Sequence, residues 1–461
     1  MRAETNGNVS FWYADIGGLP APRPPLPGDI DVDVAIVGAG YTGLWTAYYL
    51  KKTQPDLRIA ILESQFAGFG ASGRNGGWLS GAFGWSREKY LKTSTRSAVI
   101  AMQDAMAGTV DEVIRVAEAE GIDADIRRVD NLTVATNAAQ LQRVREEYEL
   151  LRAWEVDAAR LVLLTAAETR ARIDIRDAAG GWVFRGQARV QPAKLVRGLA
   201  ATVERMGVQI FEQTSVTSIG KGRVATNRGT VRAEAIIRAT EGFTAGLPGE
   251  ERTWLALNSA QIVTEPLPAA LWAEIGWDGH ELLGNTAHTY CYAQRTREGR
   301  ITMGGRGVPY RYGSRTDIDG TTQQATIDQL HTILTTLLPK TAGLRIEHAW
   351  CGVLGVPRDW CTTVGFDPHT GIGWAGGYVG LGVSSSNLSG RTLADLILGR
   401  DTELVRLPWV NRSVRPWEPE PFRWLGVHSM YQLYRIADER EAGGLARTSR
   451  LAALADHITG H

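Results

Sequence analysis

Asp33-Val34-Ala35-Ile36-Val37-Gly38-Ala39-Gly40-Tyr41-Thr42-Gly43 decides the fold. A run of apolar residues reads as a buried strand. G-x-G-x-x-G follows it at once and leads into residues 44–50, which read as a helix. Each glycine has its own task. Gly38 permits the tight turn off the strand, Gly40 lets a diphosphate approach the backbone, and Gly43 lets helix and strand pack closely. The free amides and positive end of the helix favour an anion. Residues 58–62 read as the next strand. It ends in Glu63, 20 residues past Gly43 (63 − 43 = 20), about where a β-α-β unit of this kind carries a ribose-binding carboxylate. The stretch therefore specifies a dinucleotide site on a parallel α/β sheet.

The whole chain has 461 residues, too many for one simple core, so two or three domains are expected. Hydrophobic residues are 44% and charged residues 22%, an ordinary globular balance. Lys and Arg number 50 and Asp and Glu 50, so nothing points to nucleic acid or an anionic membrane as partner. Cys291, Cys351 and Cys361 lack metal-ligand spacing, and neither a metal site nor a disulfide framework is expected. No apolar run is long enough for a transmembrane segment and no leader is recognisable, so a cytoplasmic location is expected.

Residues 1–30 read as an arm, extended by Pro20, Pro22, Pro24, Pro25 and Pro27 and anchored on the surface by Phe11, Trp12 and Tyr13. Helical spacing runs over 93–120, 138–154 and 321–338, and strand patterns over 131–136, 181–190, 208–211, 214–219, 235–242 and much of 256–307. Thr165-Ala166-Ala167-Glu168 has the order of a capping box, and Pro192 sits in the first turn of a helix. Glycine clusters at 68–84, 303–307 and 373–382 suggest backbone lining a ligand. The last cluster, read as a second glycine-rich loop with a helix over 388–398 behind it, returns some 340 residues after the first β-α-β unit. A local nicotinamide domain has no use for that return, whereas a long cofactor lying across the molecule does. A helix N-terminus at its far end would stabilise negative charge on a flavin ring.

The ordered set of motifs resembles the D-amino-acid-oxidase/glycine-oxidase superfamily of FAD enzymes, and within it the γ-glutamylputrescine-oxidase-like amine oxidoreductases. The matching pieces are Ser10-Phe11-Trp12-Tyr13, the fingerprint at 38–44, Gly70 to Gly77, Gln191-Pro192-Ala193-Lys194-Leu195, Ala239-Thr240-Glu241-Gly242-Phe243, Gly304-Gly305-Arg306 and 376–383. The resemblance implies an α/β fold: a Rossmann-type FAD-binding domain assembled from discontinuous segments (1–91, 188–250 and 347–413). Beside it stand an α+β substrate domain with a mainly antiparallel sheet (92–187 and 251–346) and a C-terminal helical extension (414–461). FAD would lie with its pyrophosphate at Gly38, Ala39, Gly40, Tyr41, Thr42 and Gly43 and its adenosine ribose at Glu63 and Ser64. Val216 would meet the adenine. Ser72, Arg74, Asn75, Gly76, Gly77 and Trp78 would run beside the pyrophosphate and flavin. Gly380, Leu381, Gly382, Val383 and Ser384 would face the pyrimidine side of the ring.

The implied activity is oxidation of an amine C–N bond to an imine that hydrolyses, with O2 as acceptor and H2O2 as product. An amine dehydrogenase using another electron acceptor and a non-catalytic FAD-binding subunit are the alternatives. Strand alternation places Thr302, Gly304 and Arg306 on one face, which by resemblance looks at the flavin. Thr302 and Arg306 are then candidate catalytic residues, and Tyr292, Arg306 and Trp350 candidate substrate-binding residues. Arg306 reads equally as half of a structural ion pair, and Tyr292 and Trp350 equally as core. Thr302 stands where sarcosine-oxidase-like relatives place an oxygen-activating lysine, which weakens the oxidase reading. Ser384 and Gly77 stand where those relatives hold basic residues for a carboxylate, which favours a longer, polyamine-derived amine or a modified amino acid. Cys351 stands where those relatives link the flavin covalently, and it reads as well as a buried apolar residue. The oligomeric state stays open.

Overall fold

Four fully buried residues make β1 (Val34–Val37), as a parallel strand covered on both faces requires. The computed structural model describes residues 2–305 and 310–459, so Arg306 lies outside the described residues. Gly38, at φ +105°, turns the chain into α1 (Tyr41–Thr53), and β2 (Ile59–Leu62) returns parallel to β1. The chain then departs through β3 (Arg127–Ala135) and β4 (Gly180–Arg189). Between them Thr165 and Glu168 form the expected capping box. Helix α2 (Pro192–Arg205), with proline at its start, leads back to β5 (Gln209–Phe211) and β6 (Ala235–Arg238).

A second excursion comprises β7 (Leu255–Thr264), β8 (Leu282–Asn285), β9 (Cys291–Arg295) and β10 (Ile301–Gly305). It ends with α3 (Gln324–Leu337) and β11 (Ile346–Val356). The chain closes with β12 (Thr363–Asp367), β13 (Ile372–Gly376), α4 (Gly382–Ile397), α5 (Phe422–Ala442) and α6 (Arg450–Thr459).

Two large sheets result. The first runs β12-β13-β6-β1-β2-β5 and is parallel except for the β12–β13 pair. Its strands come from distant parts of the chain, the discontinuous assembly that was expected. The second runs from Thr5–Asn6 through β11-β7-β10-β9-β8-β3-β4 to Trp78–Leu79 and is mainly antiparallel. Strand β11 belongs to this second sheet, so the chain crosses back after Val356 rather than at the anticipated boundary near 347. Helix α4 crosses α1 so closely that a Cβ on Gly390 would stand 2.6 Å from the Trp45 Cβ.

The arm is anchored by its aromatic residues, as expected, and they go deeper than the surface: Phe11, Trp12 and Tyr13 are 4%, 2% and 1% exposed and pack with Phe66, Phe69 and Trp350. Three adjacent aromatic rings carry too much apolar area to leave in water, and the Trp12 indole N–H donates to the Asn75 carbonyl at 2.7 Å. One expectation needs correction: 373–382 is not simply a loop. It is strand up to Gly376, and α4 begins at Gly382, six residues before Leu388 (388 − 382 = 6). Ser384, Ser385 and Ser386 in the first turns conceal the helical pattern although all three are buried.

Trp12→Ala is expected to destabilise the folded protein by about 3–5 kcal/mol. Urea unfolding followed by tryptophan fluorescence checks it; a loss under about 0.5 kcal/mol, the surface-substitution range, would mean that the arm is peripheral after all.

Candidate active site

A cleft of about 370 Å3 begins at Glu63, Ser64 and Val216 and passes the turn at Gly38–Thr42. It continues along Ser72 and Asn75 and ends among Glu241, Phe243, Ile318, Tyr378, Gly380, Gly382 and Val383. The N-termini of α1 and α4 both open into it. The two helix starts are joined by a 2.7 Å hydrogen bond between the Thr42 and Tyr378 hydroxyls. The Tyr41 amide donates to Ser72 Oγ at 2.8 Å, which ties the second glycine stretch to the first. At the opposite end Glu63 accepts from the Ala39 amide at 2.9 Å and the Gln65 amide at 3.0 Å, holding its carboxylate against the fingerprint turn. A Cβ on Gly43 would lie 2.1 Å from the Gly38 carbonyl and one on Gly40 2.9 Å from Ser72 Oγ, so only glycine permits this cradle.

Beyond Asn75 the second sheet presents one face to residues 74–77. Register places Trp350, Gln261, Gly304 and Tyr292 in one row and His348, Val263, Thr302 and Gln294 in the next. Gln261 Nε2 donates to the Arg74 carbonyl and Gln294 Nε2 to the Gly76 carbonyl, each at 2.6 Å. Both glutamine Oε1 atoms are buried, with no hydrogen-bond partner among the described residues. The Tyr292 ring fills the space that side chains at Gly76 and Gly304 would need, and its hydroxyl lies 3.2 Å from Ser259 Oγ.

Comparison with known proteins agrees with this geometry. Residues 33–396 match the family model described as FAD dependent oxidoreductase (DAO). The chain belongs to that family. It is 26% identical over 412 residues to the probable oxidoreductase OrdL of Haemophilus influenzae, covering 86% of this chain and 90% of that protein. It is 28% identical over 405 residues to the gamma-glutamylputrescine oxidoreductase of Escherichia coli, covering 85% and 89%. The crystal structure of glycine oxidase from Geobacillus kaustophilus shares the fold, with a TM-score of 0.69 over 83% of this chain and 99% of that one, at 21% identity.

The protein is thus an FAD-dependent oxidoreductase, and the cradle fits the cofactor. Amides at two helix starts suit its diphosphate and ring, and a carboxylate suits its ribose. Of the residues anticipated for FAD, Gly38, Gly40, Tyr41, Thr42, Glu63, Ser64, Ser72, Asn75, Val216, Gly380, Gly382 and Val383 line the cleft. Ala39 and Gly43 support it from behind. Ser384 turns away to donate to the Ser80 carbonyl, and Leu381 packs against Gly84. Gly76, Gly77 and Trp78 adjoin the sheet face, where Trp78 meets Tyr292 edge to face at 6.1 Å.

Arg74 is not a cleft residue, contrary to expectation. Its guanidinium donates to the carbonyls of Phe69 (2.7 Å) and Ile318 (2.8 Å), and at 3.3–3.4 Å to those of Asp317 and Cys351. The glycines around it supplied no side-chain partner, but backbone carbonyls from distant segments did. Trp350 is fully buried under the arm with its indole N–H on the Arg74 carbonyl at 2.9 Å, placing it in the core rather than at a substrate wall. Cys351 points to the opposite side of the sheet from Gly352 and Trp350, into the apolar cluster with Cys291 and Leu330. Its thiol, pushed up to about 12 by burial, lies 3.5 Å from the Thr321 carbonyl and outside the cleft walls. Among the described residues, no helix is long and apolar enough to cross a membrane.

Glu241 carried no assigned role in the sequence. It lines the inner end of the cleft with a positive φ of +42°, in the left-handed region; Val379, between the cleft residues Tyr378 and Gly380, has φ +53°. Such strain in a non-glycine residue collects at functional sites. Its carboxyl accepts from the Gly377 amide at 2.8 Å and the Tyr378 amide at 3.3 Å, fixing the approach to α4. Desolvation outweighs these bonds and lifts its pKa from 4.5 to about 7.

The folded apoprotein therefore keeps this proton where the unfolded chain has lost it. Stability falls as pH rises from about 4.5 to about 7, by at most about 3 kcal/mol, and then levels off. Glu241→Gln is expected to flatten that slope in apoprotein melting temperature measured from pH 5 to 8; an unchanged slope would assign the titration elsewhere. For Cys351, acid denaturation of the yellow holoprotein is expected to leave all flavin in the supernatant, read by absorbance.

Proposed function

We propose that the protein oxidises the C–N bond of a primary or secondary amine, polyamine-derived or a modified amino acid, to an imine that hydrolyses, with O2 as acceptor and H2O2 as product. The observation that carries this reading is the sheet face abutting residues 74–77: aromatic at Tyr292, neutral and hydrogen-bonding at Ser259, Gln261, Gln294 and Thr302. Bound FAD supplies the acceptor for the hydride on the carbon bearing nitrogen. The chain's own residues bind and orient the amine. A desolvated, aromatic surface disfavours the ammonium form and so keeps the reactive neutral amine. Gln261 Oε1 and Gln294 Oε1, buried and unpartnered among the described residues, are acceptors suited to an amine N–H. Arg306, next in sequence after Gly305, remains a proposed substrate ligand outside the described residues. The match to a gamma-glutamylputrescine oxidoreductase supports an amine longer than glycine.

A second reading, a dehydrogenase with another electron acceptor, is favoured by one residue: buried Thr302 stands where sarcosine-oxidase-like relatives carry a lysine for oxygen. Anaerobic bleaching of the flavin near 450 nm against an amine panel is the test. Long or γ-glutamylated amines are expected to bleach it, and glycine and sarcosine to do so at least about ten-fold more slowly, a preference within reach of differential binding alone. Failure of every amine would end the amine reading. In air, one H2O2 per amine is expected; turnover only with an artificial acceptor would select the dehydrogenase.

A further inference from the structure

Helices α5 and α6 lie C-terminal to the family match at 33–396 and play no part in the FAD cradle. The last turns of α5 meet the body through polar, tightly bonded groups. Asp438 accepts from two consecutive backbone amides, those of His288 (2.9 Å) and Thr289 (2.8 Å), and from the Thr289 hydroxyl. Glu441, 1% exposed, accepts from Arg143 at 2.8 Å and the Ser449 amide at 2.9 Å, and pairs with His288 Nε2 at 2.9 Å. Arg143 also donates to the Thr286 carbonyl at 2.8 Å, and the His288 ring stacks on Tyr434 at 5.9 Å. His288, Asp438 and Glu441 come close enough together to suggest a metal site. The Arg143 guanidinium already neutralises Glu441, however, and backbone amides occupy Asp438, so the cluster is a closed clasp.

The clasp holds the connection between β8 and β9, and Tyr290 is the next residue. The Tyr290 hydroxyl lies 3.9 Å from where a Cβ on Gly380 would stand, and its ring is 6.4 Å from that of Tyr292. Earlier along α5, His428 Nε2 bonds to the Tyr310 carbonyl at 3.0 Å, and Trp424 and Val427 pack in the cluster around Tyr310. One helix therefore straps two segments: the one entering β9 and the one that follows β10 at Tyr310. Both strands carry the substrate face.

We propose that α5 is a positioning element of the substrate side. Through Asp438 and the Arg143–Glu441–His288 clasp it fixes residues 286–290, and so sets Tyr290 between the sheet face and the α4 end of the cleft. The extension thereby determines which amines reach the flavin. This rests on the amine reading above. A helix that merely covers apolar surface would need no paired backbone amides at its far end; non-directional burial would suffice.

The test uses full-length holoenzyme carrying Asp438→Ala, with Glu439→Gln, an exposed neighbour, as control. Deuterium exchange is expected to quicken by roughly ten-fold or more in peptides spanning 286–292 and measurably at 377–383, with 33–53 and FAD content unchanged. In anaerobic bleaching, the half-saturating amine concentration is expected to rise roughly ten-fold while the limiting rate stays within about two-fold. Unchanged exchange at 286–292 overturns the proposal, and so does faster exchange with unaltered half-saturation. Should Asp438→Ala lose FAD, Thr289→Val, which removes only the hydroxyl's bond, carries the same measurements. If no amine bleaches the wild-type flavin, the amine reading fails, while exchange at 286–292 and 377–383 still judges the strap by itself.

Discussion

Two helix N-termini aimed into one cleft are the constraint on which the rest of the molecule depends. Each start concentrates unpaired amides and a partial positive charge, and two of them side by side are unfavourable unless something anionic lies between. Close packing holds the two starts together. A Cβ on Gly390 would collide with Trp45, and the Thr42 and Tyr378 hydroxyls bond across the gap. Because α1 and α4 are some 340 residues apart in sequence, the first sheet must take its strands from distant segments, and the second sheet becomes the excursions between them. The discontinuous fold follows from the need to grip a long cofactor at more than one point.

What was legible in the sequence was local. The fingerprint, Glu63, the capping box at Thr165–Glu168 and Pro192 at a helix start each act over a few residues or along one β-α-β unit, and the structure holds each where it was read. What was not legible depended on partners far along the chain. Arg74 is satisfied by carbonyls at 317, 318 and 351, more than 240 residues away, and no local pattern announces a carbonyl acceptor. Whether Cys351 or Trp350 faces the cofactor side is settled by the register of β11 on β7, and a one-residue shift would exchange them. Trp12 reads as an anchor for the arm, but its full burial shows only once Phe66 and Trp350 are seen around it. Glu241 reads as a loop acid until the Gly377 amide closes on it.

This contrast matters for how such a site changes. The cofactor end is built from backbone: glycines, amides and one carboxylate, whose geometry tolerates little substitution. The proposed substrate side is built from side chains on a sheet face, Tyr292, Gln261, Gln294 and Thr302, whose backbone pairing leaves their chemistry unconstrained. On that reading, exchanging one of these would alter what is bound without disturbing FAD. The two glutamines are the exception. Each spends its amide nitrogen on the loop that flanks the flavin and leaves its oxygen unspent. They couple the two sides: a ligand drawing on either oxygen pulls on the carbonyls of Arg74 or Gly76. On the proposed amine reading, the substrate's nitrogen and the flavin-side loop would be held by opposite ends of the same amide, so the groups that hold the amine would also fix the loop it must approach.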